Sequence, residues 1–134
     1  MLGVLTDKQV EKMLHREIIG RIGCSFDGKV YVIPINFGYD GKCVYARSKE
    51  GLKIKAMRKD QNVCFEVDRL QKSGDWESVI VWGKFEELKS VKEQINAMKV
   101  FTRQIAGFVK SEKAFPSHGI PRGPGKENDP FKEI

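Results

Sequence analysis

The stretch Ile18-Ile19-Gly20-Arg21-Ile22-Gly23-Cys24-Ser25-Phe26-Asp27-Gly28-Lys29-Val30-Tyr31-Val32-Ile33-Pro34-Ile35-Asn36 reads as two strands joined by a tight turn. Ile18, Ile22, Cys24 and Phe26 fall on one side of a period-two alternation, with Gly20 in the same row. Arg21 and Ser25 take the other side. Asp27-Gly28 is the dipeptide favoured where both central residues of a hairpin turn need positive φ. The second strand runs on to about Tyr39, Asp40-Gly41 marks another tight turn, and Lys42 to Arg47 reads as a third strand. Residues 18–47 are thus expected to form an antiparallel meander, the pattern of a barrel or sandwich. Pro34 interrupts the second strand. Proline cannot donate to a ladder, so it marks an edge or a bulge.

Helices flank this β segment. Thr6 with Gln9 forms a capping-box pattern, with Leu5 and Val10 placed as a hydrophobic staple, and predicts a helix over about 6–16. Asp7 in its first turn suits the helix dipole. Val10, Met13 and Leu14 share one face of it. Residues 50–60 read as a second helix, with Leu52, Ile54, Ala56 and Met57 among Lys53, Lys55, Arg58 and Lys59. Val63 to Asp68 is a fourth strand, 71–75 a turn, and Trp76 to Leu88 a long fifth strand with a bend at Gly83. Lys89 to about Ile105 is a third helix, with Val91, Ile95, Met98, Phe101 and Ile105 at helical spacing. Four of the five prolines then fall in 116–130, with Gly119, Gly123 and Gly125. The organisation predicted is one domain over 1–110 and a Pro/Gly-rich C-terminal arm or tail over 111–134, with Phe115, Ile120 and Phe131 as apolar anchors.

The chain has 134 residues, 40% hydrophobic and 31% charged, which is enough for one domain with a real core and excludes a disordered chain. Its net charge of +6 suits an anionic partner, or serves solubility alone. Cys24, Cys43 and Cys64 are odd in number, widely spaced and set among apolar residues. That pattern argues against a disulfide framework and for buried, reduced thiols in a cytoplasmic protein. No signal-peptide pattern opens the chain, and no apolar run reaches membrane-spanning length. His15 reads as an exposed helix residue, far in sequence from His118, and no cysteine or carboxylate sits at ligand spacing. No metal site is predicted.

Three segments carry candidate chemistry. In Tyr45-Ala46-Arg47-Ser48-Lys49-Glu50-Gly51-Leu52-Lys53 a strand ends and a helix begins, and the free N–H groups of a helix start attract an anion. Arg47 can fork onto phosphate oxygens, Ser48 can donate a proton, and Lys53 supplies a point charge. A solvated basic turn with Ser48 as a plain cap accounts for the same residues. In Ile33-Pro34-Ile35-Asn36 the proline leaves backbone groups open to a planar polar ligand, or blocks edge-to-edge aggregation. In Ser78-Val79-Ile80-Val81-Trp82-Gly83 the tryptophan can stack on an aromatic ligand, or sit in the core. No general base and no catalytic residue stands out.

Taken in order, Gly20-Arg21-Ile22-Gly23, Tyr31–Tyr39, Arg47-Ser48 with Gly51-Leu52-Lys53, Asn62–Asp68 and Ser78–Gly83 resemble the pyridoxamine 5'-phosphate oxidase-like flavin-binding superfamily, in its branch of nitroimidazole-resistance proteins. The resemblance covers roughly residues 5–105. It implies a mainly β fold, a six-stranded antiparallel split barrel with flanking helices, assembled as a homodimer with two FMN sites built from both subunits. It implies that Arg47, Ser48 and Lys53 hold the FMN phosphate. The Pro34, Ile35 and Asn36 backbone would line the isoalloxazine ring, with Val81 and Trp82 nearby. Many nitroimidazole-resistance relatives carry histidine where this chain has Arg47, so nitroimidazole reduction is not carried over. The tail after Gly107 also departs from the terminal strand of the family.

The leading expectation is an FMN-dependent oxidoreductase, a reductase or oxidase acting on a small organic substrate with NAD(P)H as electron donor. A non-catalytic flavin or haem binding or storage protein is the first alternative. The second is a nucleic-acid-binding small barrel, against which stands the lack of an aromatic pair in any recognised RNA motif.

Overall fold

The computed structural model describes residues 3–111. Helix α1 spans Asp7–Arg16, and its start is local chemistry: the Thr6 hydroxyl accepts from the Gln9 amide at 3.2 Å while the Gln9 side chain accepts from the Thr6 amide at 2.8 Å. Leu5 and Val10 both reach the main core. Strands β1 (Ile19–Phe26) and β2 (Lys29–Asn36) pair in full register, closed by Phe26 opposite Lys29. Asp27 at φ 50° and Gly28 at φ 76° give the turn the twist that matches its strands.

After Asn36 the chain leaves this sheet. The Phe37 amide donates back to the Ile18 carbonyl at 2.9 Å, and its ring is fully buried. Gly38–Tyr39 then form β3, which pairs with β4, Val44–Tyr45, in a separate two-stranded sheet. The expected continuous strand from 29 to 39 is therefore two strands broken at Phe37, and the strand expected over 42–47 shrinks to two residues. The break is non-local in origin. Gly38 lies against the backbone of Phe101, and the Tyr39 amide donates to the Gln104 side chain at 2.9 Å. At the 40–43 turn the Asp40 carboxylate accepts from the amides of Lys42 and Cys43, both at 2.8 Å.

Helix α2 spans Leu52–Lys59, β5 Asn62–Leu70, β6 Trp76–Lys84 and α3 Val91–Ser111. The fifth long strand ends at Lys84, short of Leu88, where the Phe85 amide turns to the Gln61 carbonyl at 2.8 Å. α3 runs past Ile105 because Phe108 continues its packed face. The main sheet is antiparallel in the order β2-β1-β5-β6, so Pro34 lies on an edge strand, where its missing N–H breaks no ladder. The fold is mainly β with flanking helices. Its six strands divide between the two sheets, with no ladder closing them into a barrel among the described residues. The 111–134 arm lies outside the described residues, apart from Ser111 at the end of α3.

One face of the main sheet carries the core. Ile35, Phe65, Val67 and Val79 pack with Phe37 and with Met13 and Leu14 of α1. Phe37 meets Phe65 edge to face at 4.8 Å. Cys24 packs with Ala56 and Met57 of α2, and Ile18 with Phe101 and Ile105 of α3. Among the described residues no other element packs on the opposite face. Across it run Val32, Gly23, Cys64 and Trp82 in one row, and Pro34, Arg21, Glu66 and Ile80 in the next.

Candidate functional site

The loop from β4 to α2 presents Arg47 exposed and Ser48 half-buried. Ser48 does not cap the helix: its hydroxyl donates to the Lys49 carbonyl at 3.1 Å. The residue at the N-cap is Gly51, with extended backbone and no side-chain cap. The Arg47 guanidinium and the start of α2 lie in one short segment, with the Ser48 proton directed to the Lys49 carbonyl.

Lys53 stands apart from Arg47 and Ser48. It is only 8% exposed, in the stripe that packs Ala56 and Met57 onto β1. Its ammonium is close enough to be felt at Cys24, whose thiol burial pushes up while Lys53 pulls it partly back. Lys53 thus places positive charge behind the loop, at the root of α2.

The remaining candidates divide between the two faces of the sheet. Ile35 is buried in the main core, and Val81 packs against that core. Pro34 and Trp82 point the other way, and Trp82 is 77% exposed. Strand alternation requires this: neighbours in a strand face opposite sides, so Val81 and Trp82 cannot both present side chains to one ligand. Pro34 and Trp82 share a face, but they occupy the two edges of a four-stranded sheet. Three strand spacings separate them, about 14 Å. Between them the face is polar at its centre, where Arg21 meets Asp68 at 3.0 Å and Glu66 at 3.6 Å. Ser78 donates to Glu66 at 2.9 Å. Burial and the neighbouring Asp68 push the Glu66 carboxyl above its ordinary range. Around this cluster the face is apolar and bare, with Val30, Val32, Ile80 and Trp82 all more than half exposed.

Of the three cysteines expected to be buried, only Cys24 is fully so. Cys24 is buried and Cys64 half-buried, but Cys43 is exposed, because β4 starts only at Val44 and Cys43 stays in the Asp40 turn. All three are free thiols. His15 is exposed, 3.7 Å from Glu11 and edge-on to Tyr39 at 4.9 Å. His118 lies outside the described residues. Among the described residues no group of side chains is arranged to hold a metal ion, and no helix is long and apolar enough to cross a membrane.

Sequence reasoning missed two features. Gln104 is buried and ties three elements together, donating to the carbonyls of Leu14 at 2.7 Å and Glu17 at 2.6 Å while accepting from Tyr39. A polar residue at helical spacing among Phe101, Ile105 and Phe108 was the available signal. The second is a division within the stripe read for α3: of its residues at helical spacing only Phe101 and Ile105 are buried, while Val91, Ile95 and Met98 stay exposed and line a shallow groove with Thr102 and Ala106.

The whole described fold lies within a match to the family model of pyridoxamine 5'-phosphate oxidase, apart from the first few residues: the match spans residues 6–118. The chain belongs to the pyridoxamine 5'-phosphate oxidase family. Among solved structures it is similar to a FAD-binding protein of Mesorhizobium loti, 31% identical, with 76% of this chain and 78% of that one covered and a TM-score of 0.67. It is also similar to a FAD-binding protein of Mycobacterium smegmatis, 27% identical, covering 73% and 84% with a TM-score of 0.63. A protein of Bacteroides thetaiotaomicron provisionally assigned to 5-nitroimidazole antibiotic resistance shares the fold at 24% identity, over 75% of this chain and 67% of that one, TM-score 0.67. The resemblance read from the ordered motifs is thus a family relationship. Within this pyridoxamine 5'-phosphate oxidase family chain, the 46–51 loop, the bare sheet face and the exposed stripe of α3 are features not absorbed by the core.

Proposed function

We propose that this chain is a flavin-binding protein that holds FMN at the interface of a homodimer and works as an oxidoreductase on a small organic substrate. The observation that carries the reading is family membership joined to a relative, the Mesorhizobium loti protein, that is itself FAD-binding. The loop geometry supports it. Arg47 and the start of α2 would take the phosphate, Ser48 would turn its hydroxyl from the Lys49 carbonyl to join them, and Lys53 would add charge. The edge of β2 at Pro34 and Asn36 would approach the ring with backbone groups, while Ile35 and Val81 back the site from the core. Trp82, about 14 Å across the face from Pro34, is too far to touch the same ring within one subunit. In the proposed homodimer Trp82 reaches that ring from the second subunit, and the bare face is covered by it.

Bound flavin supplies hydride acceptance and donation, with NAD(P)H as the proposed donor. The residues of the chain orient the ring and exclude water from it. The test is an absorption spectrum of the purified protein, with the released cofactor identified by mass. Flavin bands and the mass of FMN support the reading, while the mass of FAD would correct the cofactor. A Soret band would favour a haem binder. A colourless protein that also fails to take up added FMN would overturn the proposal. Steady oxidation of NAD(P)H in the presence of an acceptor separates an oxidoreductase from a storage protein.

A further inference from the structure

The loop that would take the phosphate contains a carboxylate of the wrong sign. Glu50 lies three residues beyond Arg47 and directly before the uncapped Gly51. Left free there, it would repel an anion and compete for Arg47. The structure shows where it goes instead. Arg58, in the last turn of α2, bonds both oxygens of Glu50, through Nη1 at 3.0 Å and through Nη2. The same guanidinium bonds both oxygens of Glu87, which lies beyond the end of β6, through Nε and through Nη2 at 3.0 Å. One planar fork thus holds two carboxylates and ties the 46–51 loop to the 85–90 segment. Arg58 draws Glu87 below the usual carboxylate range, and both acids hold Arg58 firmly protonated.

We propose that Arg58 is the positioning residue of the anion seat: by holding Glu50 and Glu87 it fixes the 46–51 loop and keeps the Glu50 carboxylate off the ligand. The inference rests on the phosphate seat proposed above. Arg58 makes no contact with ligand in this scheme and acts only through the two acids. A guanidinium is needed for this, since lysine cannot grip two carboxylates in one plane. Without Arg58, two unneutralised carboxylates face an incoming phosphate across a distance that salt screens only partly.

The experiment measures FMN and riboflavin binding to Arg58→Ala, Glu50→Gln, the Arg58→Ala/Glu50→Gln double variant and Arg47→Ala. It adds amide exchange over residues 46–51 in the ligand-free proteins. Arg58→Ala is expected to weaken FMN about tenfold and to leave riboflavin, which has no phosphate, within twofold. The double variant removes one of the two freed charges and is expected to recover most of the FMN affinity. Exchange over 46–51 is expected to rise in Arg58→Ala with the rest of the chain unchanged. Unaltered FMN affinity and unaltered exchange in Arg58→Ala would overturn the inference. So would equal losses of FMN and riboflavin with no recovery in the double variant, which would mark a merely structural contact. If Arg47→Ala leaves FMN affinity unchanged, the seat itself is misplaced. If Arg47→Ala weakens FMN and Arg58→Ala does not, the seat stands and only the role of Arg58 falls.

Discussion

Replacing Gly38 by alanine tests the packing that turns this chain off its main sheet. Gly38 is buried, and a Cβ built there would stand 2.7 Å from the Phe101 Cα, 3.0 Å from its amide nitrogen and 3.1 Å from the Val100 carbonyl oxygen. All three are backbone atoms of α3, so no side chain can swing aside, and the helix must retreat by several tenths of an ångström. Overpacking of this kind costs about 1–3 kcal/mol. The retreat also stretches the 2.9 Å bond between the Tyr39 amide and Gln104, worth about 1 kcal/mol more. The sum is about 2–4 kcal/mol, which for a chain of 134 residues lowers Tm by roughly 7–14 °C. Urea unfolding followed by circular dichroism reads the loss as a fall in midpoint with m unchanged. Gly107→Ala is the matched control. It lies inside the same helix with nothing within 4 Å, so it should gain about 0.5–1 kcal/mol from helix propensity. A Gly38→Ala protein destabilised by less than about 0.5 kcal/mol would show that α3 does not press on β3 as described.

Other consequences are equally measurable. Gln104→Leu strands the carbonyls of Leu14 and Glu17 and the Tyr39 amide, and is expected to cost about 2–4 kcal/mol in the same unfolding assay. Tyr39 and Tyr45 are both pushed up to about 12, Tyr39 by burial and by the bond to Glu11, Tyr45 by the bond to Asp40 and by burial. A raised phenol contributes stability that is full below its unfolded value near 10 and lost as pH climbs towards 12, so Tyr→Phe at either site should remove that contribution at neutral pH and flatten the alkaline limb of the stability profile, and each variant should delete one high phase from the ultraviolet titration. Asp40, held below the usual carboxylate range chiefly by the Cys43 amide, has the opposite sign: its contribution is present above the unfolded carboxylate value and fades as pH falls below it, so Asp40→Asn should flatten the acid limb of the stability profile. Ile80→Glu puts a charge on the bare sheet face and should yield a folded monomer by sedimentation that also binds FMN at least tenfold more weakly. A variant that stays dimeric would refute the proposed interface.

What the sequence revealed was what neighbours decide. The capping box of Thr6 and Gln9 and the positive φ of Asp27-Gly28 depend on residues within three positions, and both stand where the pattern put them. Pro34 was legible as an edge or bulge residue because a lost donor leaves only those places in a sheet, and the strand order decides for the edge. The break at Phe37 was not legible. Its causes are Ile18 and, from the far end of the domain, Phe101 and Gln104, and no local period records a partner 65 positions away. The same limit hid the exposure of Cys43, since strand-like sequence continues through a turn that Asp40 imposes. Ser48 was read as a donor or a cap. The structure turns its hydroxyl to the Lys49 carbonyl and leaves the helix start to Gly51.

The site shows the limit most clearly. Period-two alternation tells that neighbours in a strand face opposite sides, and it therefore separates Pro34 from Ile35 and Trp82 from Val81 without any structure. It says nothing about how many strands lie between two residues on the same side. The order β2-β1-β5-β6 supplies that number and places Pro34 and Trp82 at opposite edges. A face with exposed Val30, Val32, Ile80 and Trp82 around a charged centre is also costly to leave in water. Both facts have one economical resolution. A second copy laid on this face would hide the apolar border and carry its own Trp82 towards the first copy's Pro34. The distance that forbids a shared ligand within one subunit is the distance a two-fold partner would bridge. On the proposed homodimer, dimerisation and ligand binding would be one event seen from two sides, which is why a single charge at Ile80, outside the proposed phosphate loop, is expected to abolish the first and weaken the second.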